Sequence, residues 1–252
     1  MTSFCHTDPA AKIGENVTLG FGVRIYGNVE IGDNCQIGDF CVIGHPSMKP
    51  DCAPLKLGAS AVIRSHAVIY EGSDIGPHLE TGHHVVIREG AQIGENLRLG
   101  NYSDIEGACR IGDFVRMHSY AHVGRGSQIG DFVWLFSLTT LMNDPLPPSH
   151  ISEPVTIGDM ATVCVNVQLM PGTVIGRGAM IASGAVAHGQ IPPAVIVSGT
   201  DGEVAGPVHF LMHMASRTRH PWHKHFADAY PERARDRIAA LGAEIDAEAA
   251  DL

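Results

Sequence analysis

An aliphatic side chain returns every sixth residue through most of this 252-residue chain, and that spacing restricts the fold more than any other feature. The series runs from Ile13 to Ile43. It resumes in a new phase from Leu57 to Leu141, with Thr81 and Met117 among its members, and again from Ile157 to Ala187. That makes 27 hexads with two phase breaks, near residues 44–56 and 142–156. Neither the 3.6-residue period of an amphipathic helix nor the alternation of a half-buried strand fits. A six-residue unit with a small or β-branched residue two places before each aliphatic one predicts a parallel β-helix, with one short strand and one turn per hexad.

A longer period sits on the first. In every third hexad the residue after the aliphatic one is glycine, at Gly14, Gly32, Gly58, Gly76, Gly94, Gly112, Gly130, Gly158 and Gly176. Three hexads therefore make one coil, and one corner is expected to need glycine for a backbone conformation that a Cβ would penalise. Both phase breaks fall just before a glycine-marked hexad, so both insertions are expected to leave the prism at the same corner. Nine coils at about 4.8 Å each predict a rod of roughly 43 Å. The aliphatic residue and the one two before it point inward, and the residues flanking the aliphatic one point outward.

The pattern stops after Ala187, where GQIPPAVIVSGTDGEVAGPV reads as a Pro/Gly-rich exit. The tail from about Pro207 reads as helical, and Pro231 opens the helical stretch ERARDRIAALGAEIDAEAA, whose alternating charges suggest a solvated face. The fold class expected is all-β, a parallel β-helix of about nine coils with a short C-terminal helical extension. A formal charge of −10 argues against a nucleic-acid footprint, although local basic patches could still hold a small anion. No basic and apolar leader opens the chain and no run approaches the length of a membrane span, so a cytoplasmic location is expected. The six cysteines show neither CxxC nor a zinc-ligand spacing and read as buried or idle thiols.

Four segments carry a resemblance: AVIRSHAVIYEGSDIG (61–76), TGHHVVIRE (81–89), MND (142–144) and LMPGTVIGRGAMIASGAV (169–186). They resemble the hexapeptide-repeat acyltransferases with a left-handed β-helix, particularly those that N-acetylate nucleotide-linked amino sugars. The resemblance covers about residues 10–200 as an acyltransferase domain, with residues 207–252 as a C-terminal extension. It implies the left-handed sense of the helix and a homotrimer that binds acetyl-CoA and acceptor in the clefts between rods. The chain departs from the family pattern at His84, where asparagine is usual, and at GTDGE (199–203), where the family ends its helix with GNPA.

Acyl transfer from a thioester to an amine needs a proton acceptor and donors for the oxyanion. His118 and His122 flank aliphatic positions and so project outward on either side of one corner. His118 stands where close relatives write RIHSN and is the candidate base, with a ring that titrates near neutrality. Asn143 and Asp144, on the second insertion, are candidates for orienting the acceptor sugar; Asn-Asp-Pro also reads as a turn. One outward column runs Glu80, Arg98, Arg116, Trp134, and its adjacent arginines call for an anion between them: a diphosphate, or an acidic strip on the next subunit. The turn column His66, His84, Tyr102, Tyr120 is either a stacked ladder or a wall for a nucleotide. The resemblance adds Arg64, Tyr70, His83 and Arg88 to Arg98, Arg116 and His122 as substrate contacts, and places Cys164, Ala182, Ser183 and Gly184 along the acetyl-CoA. Small residues there leave room for a pantetheine arm, and they also suit a narrow coil.

The reading is an acetyl-CoA-dependent N-acetyltransferase acting on a UDP- or dTDP-linked amino sugar by direct attack, without a metal. O-acetylation of a sugar hydroxyl by the same machinery is the alternative hardest to separate. A γ-type carbonic anhydrase would need zinc-binding histidines two coils apart on one column, 36 residues, whereas His83 and His84 precede His118 by 35 and 34. A non-catalytic trimeric scaffold is opposed by the MND insertion, since loops on rigid scaffolds tend to carry function.

Overall fold

The structure, a computed structural model, describes residues 4–48 and 52–250. The rod's strands form three sheets of 10, 10 and 11 strands, parallel except for the last strand of the third, and successive strands up to Val195–Ser198 visit the three in turn. Face 1 begins at His6–Thr7 and includes Arg24–Ile25, face 2 begins at Lys12–Ile13, and face 3 begins at Thr18–Leu19. Register puts each aliphatic residue over its equivalent one coil away, as in Ile69↔Ile87, Ile111↔Ile129 and Leu135↔Val163. Those residues and the small ones two places before them, such as Ala67, Val85 and Cys109, are buried and fill the prism. The inward and outward positions are as the hexad predicts.

The helix has ten rungs, not nine. His6–Thr7 pairs beneath Arg24–Ile25, and above Ala187 the strands Gln190–Ile191 and Val195–Ser198 extend faces 2 and 3. Sequence periodicity misses the upper rung because its turns are shorter: Ile191 lies over Ile175, sixteen residues on instead of eighteen. Both insertions do leave at one corner, between faces 1 and 2, after Val42–His45 and after Thr140–Leu141.

The glycine column, between faces 2 and 3, has a different cause from the one expected. None of its members is at positive φ; the left-handed residues lie two places later, at Asn16, Asn34, Ser60, His78, Asn96, Phe114, Phe132 and Met160. A Cβ on Gly112 or Gly130 would instead strike the carboxylate of Asp131 or Asp159 in the next coil. Those carboxylates accept the backbone N–H of Asp113 and Asp131, each at 2.7 Å. The repeated Ile-Gly-Asp is thus one device: glycine opens the space through which the next coil's aspartate caps the turn.

The tail is only partly helical. Glu203–Pro207 runs antiparallel to Val195–Ser198, a hairpin follows at Met212–His213 and Thr218–Arg219, and the long helix is Glu232–Ala250. Most of its charged side chains are exposed as expected, and several of them also pair with the rod. Arg233 pairs with Glu95 at 2.9 Å, Arg237 with Asp113 at 2.7 Å and also with Asp131, and Arg177 of the rod reaches Glu248 at 2.8 Å. Beneath these pairs, stacked Phe114 and Phe132 meet the edge of Tyr230, and Ile238 and Ile245 are buried. Among the described residues no helix is long and apolar enough to cross a membrane.

Candidate active site

The corner between faces 3 and 1 brings together Arg64, His118, Cys164 and Ala182 of the candidate residues, with Arg98 and His83 beside them. The position just after each face-3 strand forms a column Arg64, Gly82, Gly100, His118, Phe136, Cys164, Ala182. Consecutive carbonyls of face 3 receive its backbone N–H groups, at 2.7 Å for Gly100, 2.8 Å for His118 and Phe136, and 2.9 Å for Cys164. Beside Gly82 and Gly100 lies a groove of about 350 Å³, bounded by Arg64, Glu80, Arg98, Asn101 and His118. A side chain on Gly82 would stand 2.5 Å from the backbone nitrogen of Asn101, so the glycines serve the coil spacing and leave the groove open. Glu80 lies between the two arginines, 3.5 Å from Arg64 and 3.3 Å from Arg98.

His118 is fixed at its backbone by Leu135, whose carbonyl accepts its N–H, and by the Ser103 hydroxyl, which donates to its carbonyl at 2.9 Å. Its ring keeps one side open to solvent but lies 4.5 Å from the Phe136 ring and 6.0 Å from that of Trp134, centroid to centroid. Crowding by these neighbours desolvates the imidazole and lowers its pKa below the ordinary 6.5, leaving it neutral at pH 7. Past His118, away from the arginines, opens a second recess of about 320 Å³ with apolar walls. Phe136, Trp222 and Phe226 in those walls escaped the sequence reading; the one available signal was that both tryptophans of the chain stand there.

Other candidates lie elsewhere. Arg116 turns away from the groove: its guanidinium donates to the backbone and side-chain oxygens of Asn96 at 2.6 and 2.7 Å and covers the Tyr230 ring at 4.9 Å. Burial lowers its pKa to about 10, still charged at neutral pH. The arginine repulsion foreseen for Arg98 and Arg116 is thus met by Glu80 on one side and by this packing on the other. Tyr70 and Arg88 form a separate cluster at the corner between faces 1 and 2, with Arg88 over the Tyr70 ring at 5.6 Å and Tyr70 against His45 at 4.7 Å. His122, on the outer surface of face 1, meets Asp104 at 2.9 Å, and that hydrogen bond raises its pKa.

Asn143 and Asp144 also leave from the corner between faces 1 and 2, so within one chain they stand on the far side of face 1 from His118. The Asp144 carboxylate accepts the backbone N–H groups of Leu146 and Ser149 and the Ser149 hydroxyl, which hold its pKa below the usual range and fold the loop. Asn143 accepts the Glu153 N–H at its carbonyl, 2.7 Å, closing the insertion's neck. His83 is exposed beside the groove, its Nδ1 2.8 Å from the Ser65 hydroxyl and its N–H on Asn101. The turn column is a continuous ladder of seven rings, Phe4, Phe21, Phe40, His66, His84, Tyr102 and Tyr120, with centroids 4.6 to 6.2 Å apart; His66 to Tyr120 are stacked, whereas Phe4, Phe21 and Phe40 meet edge to face.

Above His118 and Phe136, the same column continues into Cys164 and Ala182, with Ser183 and Gly184 at the turn. Burial pushes the Cys164 thiol up to about 11. No atom lies within 4 Å of where a Cβ on Gly184 would stand, so these coils offer open, small-residue surface of the kind a pantetheine arm needs. Among the described residues no group of three His, Cys, Asp or Glu side chains is placed to hold a metal.

Residues 10–45 match the family described as bacterial transferase hexapeptide (six repeats). The UDP-N-acetylglucosamine acyltransferase of Arabidopsis superposes on 98% of this chain and 94% of its own, with a TM-score of 0.59 at 16% identity, a likeness of fold. A UDP-N-acetylglucosamine acyltransferase from Bacteroides fragilis matches over 97% of this chain and 91% of its own, at 20% identity and a TM-score of 0.42. Serine acetyltransferase of Neisseria gonorrhoeae is 22% identical over 42% of this chain, with a TM-score of 0.38; the match spans only 41% of that protein's length. No curated protein sequence matches. Over residues 10–45 the chain thus carries the hexapeptide repeat of that family, and over nearly its whole length it shares the fold of the Arabidopsis enzyme.

Proposed function

We propose that the protein is an acyl-CoA-dependent N-acyltransferase that acylates the amino group of a UDP- or dTDP-linked amino sugar. The observation that carries this reading is the single column at the corner of faces 3 and 1. It joins an arginine-lined groove, a neutral histidine and a track of small residues within a few coils. Acyl-CoA would supply a thioester carbonyl and a thiolate leaving group when bound along Cys164, Ala182, Ser183 and Gly184. His118 takes the proton that the amine loses as its nitrogen bonds to the carbonyl carbon and the carbon–sulfur bond breaks, and returns it to the departing sulfur. A histidine already neutral at pH 7 is in the correct state for that task.

Arg64 and Arg98 offer charge to the acceptor's diphosphate, with Glu80 holding both arginines in place between substrates. Asn143 and Asp144, remote from His118 in their own chain, belong to the site only in a homotrimer in which the loop of one subunit faces the His118 of another. We take that assembly as part of the proposal. A neutral His118 equally favours attack by a hydroxyl, so sugar O-acylation is the second reading.

The test is to mix the purified protein with acyl-CoA and UDP- and dTDP-linked 3-amino and 4-amino sugars and to follow free thiol. Turnover on one amine is the expected result. Silence across the panel, with coenzyme binding confirmed, would overturn the amine assignment.

A further inference from the structure

We infer that the recess beyond His118 is an acyl pocket, and that the donor's acyl chain is longer than acetyl. This rests on the acyltransferase reading of the same site. The recess, about 320 Å³, is lined by Trp134, Phe136, Thr162, His220, Trp222 and Phe226 and has His118 at its mouth. The groove on the other side of His118 is polar and lined by charged side chains. A carbonyl held at His118, with its coenzyme running up the column through Cys164, therefore has two directions in which to send its substituents. The charged groove suits the sugar, and the largely aromatic recess suits an acyl chain.

The walls are built, not incidental. Trp134 stacks against Phe136 at 5.8 Å, and Phe226 sets its edge on Trp134 at 5.7 Å. Trp222 is pinned by its indole N–H to the Met160 carbonyl at 3.2 Å and stacks on Tyr230 at 5.5 Å. Burial, helped by neighbouring histidines, lowers the pKa of His220 to about 4, so the polar walls, His220 and the Thr162 hydroxyl, are uncharged at neutral pH. An acetyl methyl, about the size of one water, would leave nearly all of this volume open. Three of the six walls come from residues 220–226, which gives the extension beyond the β-helix a chemical role: it closes a face-3 surface into a pocket.

Trp134 and Trp222 are the chain's two tryptophans, so its intrinsic fluorescence reads the pocket directly. The experiment titrates the full-length protein with CoA, acetyl-CoA, butyryl-CoA and hexanoyl-CoA, following emission and affinity, without any acceptor. Each methylene that enters an apolar wall is expected to tighten binding roughly fourfold, so butyryl-CoA should bind about fifteenfold more tightly than acetyl-CoA. An emission change absent with CoA alone should accompany it. Phe226→Ala, at a position 42% exposed, should reduce the gain per methylene while leaving affinity for CoA itself unchanged. Equal affinity across the series, or a preference for acetyl-CoA, overturns the inference whether or not the variant folds. Thiol release with acetyl-CoA and an amino sugar, but exclusion of the longer donors, leaves the transferase reading standing and sinks the pocket. Chain-length-dependent binding with no turnover on any amino sugar keeps the pocket and sinks the acceptor assignment.

Discussion

Glycines serve two distinct purposes in this rod, and Gly100 and Gly90 separate them. At Gly100 a Cβ would stand 2.7 Å from the Ser119 Cα and nearer still to backbone atoms of His118 and Ser119 in the next coil. Carbon atoms rest at about 3.5–4.0 Å, so the coils would have to part by roughly 1 Å at that corner. The bond from the Gly100 N–H to the Met117 carbonyl, 2.7 Å, lies in the path of that movement. Overpacking of this kind costs about 1–3 kcal/mol, and weakening the hydrogen bond adds about 1 kcal/mol, which puts Gly100→Ala at roughly 2–4 kcal/mol. At Gly90 the nearest atom to a Cβ is 3.7 Å away, but φ is +79°. Gly90→Ala should therefore cost about 1–2 kcal/mol, from the left-handed backbone alone. Asparagine tolerates that region, as Asn16, Asn34, Asn96 and Asn166 do here. The expected signature is an inversion: asparagine better than alanine at Gly90, worse than alanine at Gly100. Urea denaturation of the four variants at one protein concentration measures it. The same ordering at both sites would refute the claim that coil spacing, and not backbone conformation, demands glycine in the column that contains Gly100.

His118→Asn should lower kcat/KM by about 10²–10⁴-fold at pH 7, and a loss under about tenfold would remove His118 as the base. Because burial lowers its pKa, the wild-type acid limb should lie below 6.5 and should move upward when Phe136→Ala admits water; a limb above 6.5 contradicts the desolvation account. His122 carries the opposite shift. Its pKa is raised by Asp104, so its contribution to stability is fully present below the unfolded value of about 6.5 and is lost as pH rises through the folded value. With both side chains more than a third exposed, that contribution is under about 1 kcal/mol, and NMR titration should show the upshift vanish in Asp104→Asn. Cys164, its thiol pushed up to about 11, should remain unalkylated by iodoacetamide at pH 8 over times that label an ordinary exposed thiol; rapid labelling would contradict its burial.

Much of this architecture was legible in the chain. The hexad places Ile69 over Ile87, the eighteen-residue glycine spacing sets three faces, and the phase breaks put both insertions at one corner. Each of these follows because a coil contacts only its neighbours, so a local repeat is also a tertiary one. The candidate site was legible to the same depth: an outward position one place after an aliphatic residue is enough to align His118 with Arg64, Cys164 and Ala182. Less was legible where the repeat is silent. Nothing in the period says that Asp131 reaches back to the turn before it, that Arg116 swings under Tyr230, or that the Asn143–Asp144 loop stands across face 1 from His118.

The sequence by itself determined the prism, its three faces, the corner from which the insertions emerge and the direction of nearly every rod side chain. The hand of the helix was implied only by resemblance. Tertiary structure decided what lies on the outside of face 3. Trp222 and Trp134 line one recess although they are far apart in the chain, and Arg237 finds Asp113 and Asp131 across a similar gap. Those contacts depend on where an aperiodic tail folds back, through its own hairpin, ring stack and ion pairs. A repeat encodes the contacts between its units, and it holds no information about a segment that lies outside them.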